Sequence, residues 1–320
     1  MSQPDYSPLA AADEDVWRMY QTALTIRRVE EALLRLHGEG SISGTVHTCI
    51  GQEACAVAVV GALDVSRDVV WSNHRGHGHY LAYSDDVDGL VAEVLGRETG
   101  VCRGIGGSQH LHRDNFYSNG ILGGTAPSAV GCALAEKRRG AGAIVCLFMG
   151  DGALAEGAVH ESLNMAALWE LPLLVCVEAN GYAQSTPTAL EHAGDIGRRA
   201  ESYGIASSRL AVREIAEVAS HARGVVADVR SSGRPHFLVL DTYRLAPHSK
   251  GDDLRPPDEL EARRRADPLG ALGRELADIS PGRRTAVEQA VADRVAAAIA
   301  AAKAAPALDA DAFLAEVENW

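Results

Sequence analysis

Residues 143–182 read AIVCLFMGDGALAEG, AVHESLNMAALWELP and LLVCVEANGY in succession. The first apolar run, 143–148, has the composition of a strand buried on both faces. Gly150-Asp151-Gly152 breaks it at its C-terminal end. Val159, Leu163, Met165 and Ala166-Ala167 then recur at helical spacing over 159–168, and Pro172 keeps that helix from running on. A second apolar run, 173–177, ends at Glu178-Ala179-Asn180. Strand, helix and strand in this order make a right-handed βαβ unit, with both strands parallel and both C-terminal ends on one edge. That unit commits the chain to an α/β class: a doubly wound parallel sheet flanked by helices. It also brings Asp151 and Asn180 side by side, in the crevice where such sheets bind ligands.

Asp151 offers a carboxylate and Asn180 an amide oxygen. Hard oxygen donors suit Mg²⁺ that keeps positions open for phosphate oxygens. Gly150 and Gly152 let backbone approach a ligand closely, and the N-terminus of the next helix favours an anion. Either residue alone is an ordinary turn residue. The pair, on one edge with glycines around it, describes a metal-bridged diphosphate site. Arg75 ends a short strand within a glycine-containing stretch, where a guanidinium is well placed for phosphate.

The spacing from GDG to Asn180 resembles the thiamine diphosphate motif. NMAALWELP and ANGYAQST resemble the α subunit of the E1 component of 2-oxo acid dehydrogenase complexes. GTVHTCIGQEA, SNHRGHGHYLA, GIGGSQH, NFYSNGILGG and YRLAPHS match segments of that family in the same order, over residues 16–249, and the tail 304–320 is similar more loosely. The resemblance implies the diphosphate-binding half of a thiamine diphosphate-binding fold. It implies Mg²⁺ held by Asp151, the side chain of Asn180 and the backbone carbonyl of Tyr182. Cofactor contacts carried over from the family fall on His74, Arg75, Gly120, Leu122, Gly150, Asp151, Gly152, Ala153, Asn180, Arg244 and His248. Leu122 would be the apolar wedge that bends the cofactor, and His47 and His248 would move protons.

The implied reaction is decarboxylation of a 2-oxo acid, or cleavage of acetoin, with transfer of the acyl group to a lipoyl E2 acyltransferase. HRGHGH and ANGYA resemble the pyruvate/acetoin branch. The family takes its activating glutamate from a β subunit, which implies an α₂β₂ heterotetramer and no activity without β. Ala155 and Ala179 stand where asparagines are common in the family. Leu245-Ala246-Pro247 replaces a segment that often carries another histidine, and Ser249 occupies a position phosphorylated in some relatives. Two other readings share much of this pattern: the large half of a split transketolase or carboligase, and a non-catalytic regulatory subunit. Retention of Asp151, Asn180, Arg75 and His248 argues against the second.

Glu53 and Glu178 are the chain's own candidates for the missing acid. Glu53 follows Gly-Gln at a helix start, where capping is the ordinary role. His74, His77 and His79, with His110 and His112, invite a zinc reading, but no cysteine or carboxylate cluster accompanies them to close a tetrahedral site.

Elsewhere the pattern predicts a helix from Asp13 with an acidic first turn, stopped by Gly38 and Gly40. A buried helix over 52–63, a strand at 69–71 and a helix at 88–95 follow. RGIGGS at 103–108 is glycine-rich but lacks the context of a dinucleotide fingerprint. A glycine turn at 119–124 leads into a small-residue helix at 129–135. A polar loop at 184–188, helices at 196–203 and 212–226, and a strand at 236–242 come next. Residues 243–255 are charged and irregular, as in a loop that orders around ligand. From about 258 to 320 the chain reads as a helical extension. With no repeat and no linker, residues 1–320 are expected to form a single domain. A net charge of −13 argues against nucleic acid as a partner. Six cysteines without a CxxC pair fit buried thiols in a reducing cytosol. The absence of a spanning apolar run and of a signal-peptide core predicts a cytoplasmic, non-membrane protein.

Overall fold

The computed structural model describes residues 14–249, 251 and 253–317. Helix α1 (Glu14–Gly38) carries Glu14 and Asp15 in its first turn and Arg35 and His37 in its last, complementing its dipole. Asp13 lies outside the described residues. Helix α2 (Glu53–Val60) is buried at every position. Then come β1 (Val69–Ser72), α3 (His77–Ser84), α4 (Val87–Val94), β2 (His112–Arg113), β3 (Phe116–Ser118) and α5 (Thr125–Arg139). Strand β4 (Val145–Gly150), a 3₁₀ turn (Asp151–Ala155), α6 (Gly157–Leu168) and β5 (Leu173–Ala179) form the βαβ unit. A hairpin, β6 (Tyr182–Ala183) and β7 (Thr186–Pro187), leads into the one-turn α7 (Thr188–Glu191) and a 3₁₀ helix (Ile196–Tyr203). Strand β8 (Ala206–Ala211), α8 (Ile215–Ser232) and β9 (His236–Asp241) precede the closing helices α9 (Pro257–Arg265), α10 (Pro268–Ile279), α11 (Pro281–Ala304) and α12 (Ala310–Val317).

Seven strands form one sheet in the order β2-β3-β1-β4-β5-β9-β8, parallel at every pairing except β2 with β3. The alternation of side chains along each strand divides the core in two. Val70, Cys146, Phe148, Leu174, Cys176 and Leu238 face one cluster, shared with α1, α2, α3, α4 and α8. Val145, Leu147, Met149, Val175, Val177 and Val239 face the other, shared with α5 and α6. Strands buried on both faces are uniformly apolar, which is why β4 and β5 are legible as continuous runs. After β1 the chain turns onto the first face, and after β4 onto the second. The loops part there, opening a crevice at the C-terminal ends of β1 and β4.

Several boundaries differ from the sequence pattern. β4 begins at Val145 and Gly150 is its last residue rather than a break. The helix expected at 212–226 starts at Ile215 and runs to Ser232, because Val212 continues the line of β8, its N–H bonded to the Asp241 carbonyl at 2.9 Å. β8 itself, ASSRLA, has no strand signal: it is an edge strand without a buried residue, so nothing selects apolar side chains. The polar loop at 184–188 contains the turn and second strand of a hairpin. The C-terminal helices pack on the rest of the chain. Leu272 and Leu276 of α10 and Val291, Val295 and Ala298 of α11 belong to the first core cluster, against α1 and α4. Among the described residues no helix is long and apolar enough to cross a membrane.

Candidate functional site

The register of β4 against β5 sets Gly150 opposite Glu178. The next residues therefore leave the sheet together, and hydrogen bonds tie their loops. Asp151 Oδ2 accepts the Gly181 N–H and the Thr188 hydroxyl, each at 2.8 Å, while Oδ1 accepts the adjacent Gly152 N–H at 3.0 Å. Asn180 Oδ1 accepts the Tyr182 N–H at 3.1 Å. Asp151 is 1% exposed and has no cationic partner among the described residues. Gly152 is required by packing, since a Cβ there would lie 2.7 Å from that of Ala183.

A cavity of about 420 Å³ opens over this turn. The loop after β1 contributes His74 and Arg75, and the loop ahead of α2 contributes His47. Gly120 and Leu122 come from the turn after β3, and Gly150, Asp151, Gly152 and Ala153 from the end of β4. Asn180 and Tyr182 follow β5, and Arg244 and His248 follow β9. All of these line the cavity. Leu122 is 41% exposed, so core packing does not account for it.

Two guanidiniums and three imidazoles converge. His47 and His74 have ring centroids 4.7 Å apart, His47 and His248 also 4.7 Å, and His74 and His248 5.5 Å. His248 Nδ1 lies 3.1 Å from Arg244 Nη1 and 3.3 Å from Arg75 Nη2. The ring nitrogens of this trio come within 4.8 Å of one another, close enough to suggest a metal, but a cation there would face both arginines. The cluster is instead a wall for an anion. Burial, then the charge of Arg75 and the neighbouring His47, His248 and Arg244, holds the His74 pKa well below the usual histidine value. His74 is thus a neutral imidazole, and neither ring nitrogen has a hydrogen-bond partner among the described residues.

The histidines of the HRGHGH stretch do not cluster. His77 is buried between the Glu30 carboxylate and the Ser108 carbonyl, both at 2.9 Å. His79 stacks on Phe148 and hydrogen-bonds Ser72. Glu53 is not a simple cap: it pairs with Arg27 through both carboxylate oxygens, accepts the Gly51 N–H, and Arg27 is held in turn by Asp267. Glu178 is 3% exposed, with His79 Nε2 at 3.6 Å. The first glycine-rich loop closes around a side chain of its own domain. Its N–H groups wrap the fully buried Glu93 carboxylate.

The irregular segment after β9 is anchored at both ends. Leu245 N–H bonds the Ile50 carbonyl at 2.8 Å. Arg255 binds the carbonyls of Arg244 and Ala246 and the Asp253 carboxylate, and lies over the Tyr243 ring. Lys250, within it, lies outside the described residues. Sequence reasoning missed the amides. Gln109 bonds His47 Nδ1 at 3.3 Å. Asn73 shapes the Arg75 turn by accepting its N–H at 2.8 Å. Gln52 lines the cavity with a buried Oε1 that has no partner among the described residues. Neutral amides leave no charge pattern to read.

The donor chemistry therefore divides the cavity. Oxygen donors on Asp151 and Asn180 suit a hard divalent cation. Arg75, Arg244 and the N–H groups of the 3₁₀ turn suit a polyanion bridged to it. The unsatisfied Gln52 and His74 atoms are the kind that a bound group completes.

A profile of the family described as Dehydrogenase E1 component matches residues 21–311. The α subunit of the acetoin:2,6-dichlorophenolindophenol oxidoreductase of Bacillus subtilis is 38% identical over 248 residues, covering 76% of this chain and 74% of that protein. The pyruvate dehydrogenase E1 component subunit alpha of Zymomonas mobilis is 37% identical over 270 residues, 82% of this chain and 76% of that protein. The acetoin enzyme's α subunit from Cupriavidus necator is 36% identical over 315 residues, covering 94% and 93%.

Proposed function

The chain belongs to the dehydrogenase E1 component family, and on that premise we propose that it is the α subunit of a thiamine diphosphate-dependent E1 dehydrogenase of the pyruvate/acetoin type. The observation that carries the reading is the meeting of Asp151 and Asn180, from the adjacent ends of β4 and β5, in one cavity with the Arg75 and Arg244 guanidiniums. When bound, thiamine diphosphate supplies the electron sink that lets a bond beside a substrate carbonyl break. This chain's part is to hold and orient it. Asp151, the Asn180 amide oxygen and the Tyr182 carbonyl hold Mg²⁺. Arg75 and Arg244, with the backbone of the turn at Gly152 and Ala153 close by, take the diphosphate, and His74 completes its pocket as a neutral donor. Gly120 and Leu122 support the aminopyrimidine. His47 and His248 hold and move the proton at the substrate oxygen, His248 being oriented by both arginines.

A β subunit supplies the acid that this chain lacks. Glu53 is committed to Arg27, and Glu178 is buried beside His79. Ile105, Ile121 and Leu122 are exposed on the two glycine-rich loops, an apolar rim that suits cover by another chain. An α₂β₂ assembly acting in the cytoplasm and passing its acyl group to a lipoyl E2 follows from this reading. Purify the chain with its co-purifying β subunit and measure thiamine diphosphate binding by calorimetry with and without Mg²⁺. Asp151→Ala should abolish the Mg²⁺-dependent binding while the circular dichroism spectrum is kept; undiminished affinity refutes the site. The chain alone should show no 2-oxo acid turnover with an artificial electron acceptor, and turnover lost in Glu53→Gln would overturn the heteromer.

A further inference from the structure

Behind Asp151, away from the cavity lining, runs a chain of ring nitrogens that no pattern in the sequence announced. His192 follows α7 and is 9% exposed. Its Nε2 lies 2.8 Å from the Asp151 carbonyl oxygen, and its Nδ1 lies 2.9 Å from Arg199 Nη2. Arg199 Nη1 is 3.2 Å from His160 Nε2 and 3.4 Å from the Leu154 carbonyl. His160 Nδ1 is 3.1 Å from the Tyr203 hydroxyl. The Glu191 carboxylate stands 3.8 Å from His192 Nε2, beyond hydrogen-bonding distance.

A guanidinium has donors only. Both imidazole nitrogens that face Arg199 must therefore be lone-pair acceptors. His192 then carries its proton on Nε2 and His160 on Nδ1. One arginine selects two tautomers, and the His192 tautomer that it selects is the one able to donate to the Asp151 carbonyl. In the other tautomer two lone pairs would face each other across 2.8 Å. The Asp151 backbone is thus held from behind, while Gly181, Thr188 and Gly152 hold the carboxylate in front.

We infer that Arg199 is a positioning residue: by locking His192 in its Nε2–H tautomer it keeps Asp151 in the attitude that ligates a divalent cation. The inference rests on the assignment of Asp151 to Mg²⁺ made above. It goes further in naming His192 and Arg199, which touch neither cation nor cofactor, as the residues that set the cation's affinity. Partners of this outer kind typically change metal affinity about 10–100-fold when removed.

The test is a Mg²⁺ titration of thiamine diphosphate binding by calorimetry, on the chain with its β subunit. Arg199→Met should raise the half-saturating Mg²⁺ concentration by about tenfold, with cofactor affinity at saturating Mg²⁺ unchanged. His192→Gln should stay near wild type, because its amide donates to the Asp151 carbonyl without needing a tautomer chosen for it. Arg199→Met added to His192→Gln should then have no further effect, a non-additivity that loss of general packing does not produce. Should Arg199→Met not fold, His192→Leu against His192→Gln carries the same test, Leu raising the Mg²⁺ requirement and Gln leaving it. An unaltered requirement in Arg199→Met, or an equal loss in both backgrounds, overturns the inference. Wild-type cofactor binding that ignores Mg²⁺ fails the Asp151 assignment itself, and the inference with it.

Discussion

Replacing Glu93 by glutamine should loosen the loop that leads into Gln109, whose amide meets His47 in the cavity. Glu93 Oε2 accepts the N–H groups of Cys102 at 2.7 Å and Gly104 at 2.8 Å, and Oε1 accepts those of Gly106 at 2.8 Å and Gly107 at 3.0 Å. The loop needs its glycines for this wrap. Gly104 and Gly107 have φ of +77° and +59°, and a Cβ on Gly106 would strike the His110 carbonyl. The residues that follow place the Ser108 carbonyl on His77 and the Gln109 amide on His47.

In Glu93→Gln one oxygen becomes an NH₂, so two of the four N–H groups meet a donor. Hydrogen bonds to a charged acceptor are worth about 1.5–3 kcal/mol each. With some relaxation, the loss is about 3 kcal/mol in the free energy that keeps the loop closed. At about 1.4 kcal/mol per factor of ten, amide exchange at these positions should speed up roughly a hundredfold. Hydrogen–deuterium exchange on peptides covering 101–109 reads this directly. Glu98→Gln is the control: Glu98 meets Arg103 of the same loop at 3.7 Å, is about half exposed, and should change exchange little. Unchanged protection in Glu93→Gln refutes the reasoning, and would mean that the N–H groups depend on something other than the carboxylate.

Two further outcomes are expected. The Glu30–His77 pair sets a pH window: burial alone would lower His77 and raise Glu30, but their mutual attraction outweighs it, so His77 is raised and Glu30 lowered from ordinary values of 6.5 and 4.5. The pair's contribution is full between those values. It declines as pH rises through the raised His77 value and as pH falls through the lowered Glu30 value. His77→Gln should therefore cost about 3 kcal/mol near pH 6 and less at alkaline pH, a gap read from melting temperature against pH, with a pH-independent gap counting against the pair. Gly51→Ala places a Cβ, at φ +96°, against the Tyr243 carbonyl and 2.7 Å from Leu245 Cγ. Strain of about 1–3 kcal/mol should push away the segment that bears Arg244 and His248, weakening thiamine diphosphate binding in calorimetry; an unaltered affinity would show that the two loops are not coupled.

Much of the fold is written locally. The apolar runs that become β4 and β5, and the helical spacing between them, are readable because a strand buried on both faces tolerates only apolar residues. Their order then places Asp151 and Asn180 on one edge whatever surrounds them. The same logic explains the omissions. β8 is exposed and β3 is three residues long, so burial left no period to detect. Resemblance supplied His74 and His248 as candidates, and a strand-end position offered Arg75, but neither said who faces whom. Only the tertiary structure brought His47, His74 and His248 together, turned His77 toward Glu30, and committed Glu53 to Arg27, a guanidinium shared with Asp267, 240 residues beyond it. It also gave Glu93 to the glycine-rich loop that had no dinucleotide context, and Arg199 to the tautomer of His192. The physical reason is one of range. Burial repeats at intervals of two or 3.6 residues and so marks the sequence, whereas a polar side chain's partner depends on which loops the strand order sets side by side, and that order is decided by the packing of the whole sheet.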